Sequence, residues 1–206
     1  MLLLAFDTAT DATTVALLRD GVLLGERRSR AVRVLADAEE LLAEAGVQQA
    51  DLEALAVGTG PGSYTGLRMG LVTARTLAFS LGIPAAGVST LETLAAGAPG
   101  AVPVLDARRG EVFTRAREDG RARVVAPDTL SVEPGARYVG DGAVRYRSHF
   151  EAGGGVVPAD ESDEHVPWAH NLAALAGDFG EAETLEPLYL REPDAERNLG
   201  AGTLKP

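Results

Sequence analysis

Asp7 and Asp106 each close a short apolar run, and each is followed thirteen residues later by an aspartate next to glycine, Asp20-Gly21 and Asp119-Gly120. Carboxylates at strand ends can orient a metal-bound phosphate, or they can cap the turn that follows through their own backbone. Between them lies GTGPGSYTGLRMG at 58–70, with five glycines and one proline in thirteen positions. Glycine that dense between a strand and a helix is where many nucleotide enzymes hold phosphate.

Spacing tests that chemistry. A Walker A loop needs a lysine before its Ser or Thr, and the only lysine of the chain is Lys205. The dinucleotide fingerprint starts well at Gly58-Thr59-Gly60, but Ser63 stands where its third glycine belongs. No acidic residue follows about 20 positions later to grip a ribose. A plain anion nest survives, built from the free backbone N–H groups of Tyr64, Thr65 and Gly66 at a helix start.

The other chemistry-bearing residues form no recognisable constellation. With no cysteine, disulfides, thiolate nucleophiles and cysteine-held zinc are excluded. The histidines are His149, His165 and His170; the last two are five apart with Pro167 between them, so they share no helical ligand face. Ser63 lies in a stretch like a nucleophile elbow, but Thr65 occupies the position that needs glycine.

The same glycines support a second reading. Gly62, Gly66, Gly70, Ala74 and Ala78 recur every fourth residue, and the last four share one slowly rotating helix face. Glycine inside a helix costs about 1 kcal/mol relative to alanine, so close approach of another backbone is the expected compensation. That backbone is either the protein's own sheet or a partner helix, and spacing does not choose between them.

The elements that must position these residues follow from periodicity. Residues 2–6 form a continuous apolar run of strand length, too short for a signal peptide core and lacking its basic flank. Two apolar runs around Asp20-Gly21 predict a hairpin. Apolar residues at 31, 34, 35, 38, 41, 42 and 45 keep helical period, with Gly46 as cap. A strand at 52–57, a helix at 66–81 ending before Gly82, a strand in IPAAGV and a helix with a Ser89/Glu92 capping box complete the first half. The order is three strands in a meander, then helix, strand, helix, strand, helix.

The stretch at 95–103 is rich in small residues and proline and suits a join between two lobes. After it the strand, aspartate and hairpin recur, the mark of a duplicated lobe. Further on, 137–146 predicts a strand and turn, 168–179 a helix, and LEPLYLR at 185–191 an extended piece. The chain of 206 residues, 46% hydrophobic, has a net charge of -11, so unaided binding of a polyanion would need a local basic patch. No apolar stretch approaches the ~20 residues of a membrane helix, which predicts a cytoplasmic protein. Arg115, Arg117, Arg121 and Arg123 flank the second Asp-Gly pair: a three-residue loop puts all four on one sheet face, a two-residue loop splits them.

Five segments in order, LLAFDTATDATTVALL, GTGPGSYTGLRMG, GVSTLETLA, LDARRGEVF and EPLYLR, closely resemble the bacterial TsaB (YeaZ) family. The resemblance covers nearly the full length. It implies an α/β fold of two ribonuclease-H-like lobes, that of the actin, Hsp70 and sugar-kinase superfamily. The first lobe would be 1–98, with partner-binding helices at 31–46 and 66–81, and the second 99–206, with a C-terminal segment that can pack back on the first. It further implies a non-catalytic, dimerising subunit of the machinery that makes N6-threonylcarbamoyladenosine at position 37 of tRNAs reading ANN codons. Such a subunit docks on the catalytic TsaD, is joined by the ATPase TsaE, and self-associates when TsaD is absent, with tRNA touched at most indirectly.

Carried to this sequence, the resemblance makes Gly66, Gly70, Ala74, Ala78, Leu35 and Leu42 the partner surface. It implies no metal and no cofactor held by this chain alone, with Mg-ATP or Mg-ADP entering at the level of the complex. One departure is the first helix, where family members often carry HSE and this chain reads SRAVRVLADAEE. Kinases of the superfamily place phosphate-facing carboxylates where Asp7 and Asp106 stand, and Thr8 and Thr10 would add hydroxyls. The simpler reading is that both aspartates cap turns. A stand-alone actin-like kinase or ATPase using these four residues is the alternative function, and a metallopeptidase a weaker one.

Overall fold

In a computed structural model the chain forms two α/β lobes; the structure describes residues 1–30, 33–115 and 120–190. The first lobe contains β1 (Leu2–Asp7), β2 (Thr13–Arg19), β3 (Val22–Ser29), α1 (Val34–Glu44), β4 (Ala54–Gly60), α2 (Tyr64–Leu81), β5 (Ala85–Ser89) and α3 (Thr90–Gly97). Its five strands lie in the order β3-β2-β1-β4-β5, antiparallel across the first three and parallel across β1, β4 and β5. This is the predicted order of elements.

The apolar run of β1 is continuous because both its faces are covered. Leu2, Leu4 and Phe6 point to one side, with Val15, Leu17, Leu55 and Val57, and meet Ala38, Leu41, Leu71 and Ala74 of α1 and α2. Leu3 and Ala5 point to the other, with Ala16 and Ala56, and meet Ala169 and Leu172 of a helix near the end of the chain.

The second lobe contains β6 (Val102–Arg108), β7 (Glu111–Arg115), β8 (Ala122–Val125), β9 (Tyr138–Val139), α4 (Asp141–Arg145) and α5 (Arg147–Ala152). Its sheet runs β8-β7-β6-β9, so β6-β7-β8 repeats the meander β1-β2-β3. Helix α6 (Ala169–Leu175) then returns to the first sheet, and Gly180 pairs with Ala85 on its edge. Among the described residues, no helix is long and apolar enough to cross a membrane.

Several local expectations change. Helix α2 begins two residues before the predicted start, because Ser63 caps it by accepting from the Gly66 amide at 3.3 Å. Its end is as predicted, with Gly82 left-handed at φ 66°. Helix α1 begins at Val34, and the predicted positions 31 and 32 lie outside the described residues. Ser89 precedes α3 without capping it, since Thr93 Oγ1 donates instead to the Ser89 carbonyl at 3.0 Å. The predicted turn after 138–139 is helix α4, and α6 stops at Leu175, short of the predicted 179.

Candidate functional site: a glycine seam, an outer helix face and an interlobe cleft

Four of the five glycines of 58–70 meet Asp7 at the end of β1 or the loop that follows it. An added Cβ would lie 2.0 Å from Asp7 Oδ2 at Gly58, 2.2 Å from the Ala9 carbonyl at Gly62, 2.0 Å from the Thr8 carbonyl at Gly66 and 2.3 Å from Thr8 Oγ1 at Gly70. Two hydrogen bonds join the seam, Thr8 Oγ1 to the Gly66 carbonyl at 2.7 Å and the Ser63 amide to the Ala9 carbonyl at 2.7 Å. Every fourth residue is small because the chain's own residues 7–9 lie against this face of the helix. Ala74 and Ala78 continue it onto the sheet, both buried.

This corrects the expectation for a partner surface. Gly66, Gly70, Ala74 and Ala78 are occupied from within the lobe, and Leu42 is buried in its core. Of the six residues only Leu35 is exposed, at 60%. The opposite face of α2 carries Met69, Val72 and Phe79 at 49%, 59% and 81% exposure. Their spacing of three and seven residues puts them on one outward stripe. Sequence reasoning missed this stripe because small residues drew the attention; the signal was an apolar residue at each of three outward positions of a helix whose inner face was already filled.

Asp7 also has a different place from the one the kinase comparison implies. It is fully buried, with Oδ1 accepting from the Ala9 amide at 2.7 Å and Oδ2 from Thr90 Oγ1 at 2.7 Å. Burial pushes its carboxyl up to about 6, against the lowering effect of those two hydrogen bonds. Thr8 is buried too, its hydroxyl spent on Gly66. Neither faces the space between the lobes, so the turn-capping reading describes Asp7.

Thr10 and Asp106 do line that space, a cleft of about 490 Å³ that also takes in Asp11, Ser63, Tyr64, Arg108 and Tyr189. Asp106 is engaged throughout: Oδ1 accepts from the Arg108 amide at 2.9 Å, and Oδ2 meets Arg108 and Arg145, each at 3.2 Å. Its amide donates to Asp141 Oδ1 at 2.9 Å. Asp141 is pushed up to about 6 by burial first, then by the charges of Asp106 and Asp11. The bulky DARRG turn fills the position where a phosphate loop would need glycine and hydroxyls.

The histidines are scattered. His165 is buried and accepts from the Gly140 amide at 2.9 Å, His170 faces Glu26 at 2.8 Å, and His149 packs edge-on against Phe150. Among the described residues no group of three His, Cys, Asp or Glu side chains is arranged to hold a metal. In the second hairpin, Arg115 pairs with Ala122 and Thr114 with Arg123, which puts Arg115 and Arg123 on opposite faces. The four-arginine patch is therefore not assembled; Arg117 and Asp119 lie outside the described residues.

Comparison with known proteins agrees with this geometry. The family model described as "TsaD: tRNA N6-adenosine threonylcarbamoyltransferase" matches residues 27–132. The solved structure of YeaZ from Pseudomonas aeruginosa superposes with a TM-score of 0.74 at 31% identity, covering 92% of this chain and 99% of that one. The chain belongs to the TsaB (YeaZ) family. An uncharacterized protein of Mycobacterium tuberculosis strain H37Rv is 37% identical over 94% of this chain and 93% of its own length. The "tRNA threonylcarbamoyladenosine biosynthesis protein TsaB" of Bacillus subtilis is 40% identical over 62% of this chain and 61% of its own length. Component A of (R)-2-hydroxyglutaryl-CoA dehydratase from Acidaminococcus fermentans, at 11% identity and a TM-score of 0.50, shares the fold alone. The family's two-lobed, actin-like architecture is the one predicted.

Proposed function

We propose that this chain is a non-catalytic subunit in the biosynthesis of N6-threonylcarbamoyladenosine at position 37 of tRNAs reading ANN codons, and that it acts in the cytoplasm by docking on TsaD. The TsaB names of its relatives support the pathway. The docking mode rests on one observation, the outward apolar stripe of Met69, Val72 and Phe79 on α2, accompanied by Leu35 on α1. Three large apolar side chains held outward on one rigid helix are the kind of surface that a partner helix covers. In this reading TsaD supplies the chemistry and Mg-nucleotide enters with TsaE. The same stripe closes a homodimer when TsaD is absent.

The test is to charge the stripe while leaving the glycine seam alone. Val72→Glu and Phe79→Glu should keep the parent melting temperature, since both side chains face solvent, yet abolish co-purification with TsaD and tRNA modification in a reconstituted system. Full modification activity from a stable double variant sinks the docking claim.

A further inference from the structure

The segment 185–190 joins the two lobes a third time, after the link into β6 and the return into α6, and its contacts follow one another like stitches. The Leu185 side chain is in the core of the first lobe, and its carbonyl accepts from Arg75 of α2. The Leu188 amide donates to the Thr59 carbonyl at the end of β4, at 2.8 Å. The ring of Tyr189 lies 5.3 Å from that of Tyr64, the first residue of α2, tilted by 31°. Leu190 then packs on the cluster formed by Leu91, Leu94, Leu105 and Phe113, which belongs to α3 and the second sheet. Leu188, Tyr189 and Leu190 all line the interlobe cleft.

A second link crosses the same cleft. Arg108, at the end of β6, directs one guanidinium nitrogen to both carboxylate oxygens of Asp11, at 2.7 and 2.9 Å. The Arg108 backbone is left-handed at φ 62°, a conformation rare for a side chain of this size. The Arg108 amide hydrogen bond to Asp106 Oδ1 helps hold that turn, aiming the guanidinium across the gap. The pair is exposed on both sides and weak by itself, so it can close only a gap that something else already holds narrow.

We propose that residues 185–190 and the Arg108–Asp11 pair form a two-part latch that holds the lobes at a single closed angle, the strap setting the approach and the ion pair completing it. The cleft's width is then set by the chain itself and not by an occupant. Because the strap is stitched to β4 and to α2 at Thr59, Tyr64 and Arg75, a shift of the start of α2 is carried to the strap and from there to the second lobe. The latch is a conformational device, independent of the docking proposal above.

The absence of cysteine makes the test direct. Thr65→Cys and Arg109→Cys put one label on each side of the cleft, and pulsed electron resonance reads the distance distribution between two spin labels. The labelled chain should give one narrow distribution. Tyr189→Ala should broaden it toward longer distances, Asp11→Ala should do so less, and the two together most. In parallel, hydrogen exchange at the Leu188 amide should be about tenfold faster in Tyr189→Ala than in the parent, while amides of the sheet cores are unchanged. Should Tyr189→Ala fail to fold, Asp11→Ala, which alters an exposed side chain, still reports on the ion-pair half. A broad distribution in the labelled parent, or one left narrow by both substitutions, overturns the latch.

Discussion

The hydroxyl of Thr90, at the start of α3, donates to Oδ2 of Asp7, at the end of β1, over 2.7 Å and 83 positions of sequence. This bond ties the first strand to the last helix of the first lobe. With the Ala9 amide on the other oxygen, it makes Asp7 a structural carboxylate. Its proton is favoured in the folded state, since burial raises it from 3.8 to about 6.

The sign of the pH dependence follows. A carboxyl whose folded value is raised contributes stability that is fully present below about pH 4 and is lost as pH rises through about 6. Taken alone, a shift of that size corresponds to about 3 kcal/mol. Asp7→Asn keeps an acceptor for the Ala9 amide and remains neutral throughout. It should match the parent near pH 4 and melt higher than the parent at pH 8. Calorimetric melts across this range check it, and a variant less stable than the parent at pH 8 contradicts the assignment.

Gly66→Ala and Gly70→Ala should both destabilise, because each new methyl meets Thr8. The costs are not equivalent. At Gly66 the obstacle is the Thr8 carbonyl, which is backbone; at Gly70 it is Thr8 Oγ1. Overpacking of this kind costs about 1–3 kcal/mol. Thr8→Ala should recover part of the Gly70→Ala loss and none of the Gly66→Ala loss, a coupling that chemical denaturation of the single and double variants can read.

Glu26 of β3 holds the first turn of α6, accepting from the His170 amide at 2.9 Å with one oxygen while the other faces His170 Nδ1. Glu26→Ala leaves that part-buried amide without its partner, at a cost of about 1–3 kcal/mol. Hydrogen exchange should show faster opening of α6 than of α1. Equal protection of the two helices would mean that Glu26 is not what holds α6 in place.

Titration of the isolated chain with Mg-ATP should give no saturable heat at micromolar concentration. Both oxygens of Asp7 and the hydroxyl of Thr8 are spent inside the lobe, and Asp106 is held by Arg108 and Arg145. Micromolar binding abolished by Asp7→Ala would revive the kinase-like alternative.

The local patterns of the first lobe were legible in the sequence because they are properties of short windows. The period of two or of 3.6, the aspartate at the end of β1 and near the end of β6, and the Gly82 cap each depend on neighbours in the chain. The five family segments added the two-lobed architecture and the family itself. What the window could not supply was the identity of the surface meeting each face. The fourfold small-residue spacing of α2 proved only that something comes close; that the neighbour is Thr8, with Met69, Val72 and Phe79 left facing outward, was decided when β1 and β4 paired in parallel and brought residues 7–9 under the helix. Likewise Asp7 ends β1 and Asp106 lies two residues before the end of β6, yet one is buried against Thr90 and the other lies between two arginines at the cleft. Residue type and spacing determine which groups are available, but burial and partners, which come from segments distant in sequence, determine what those groups can do.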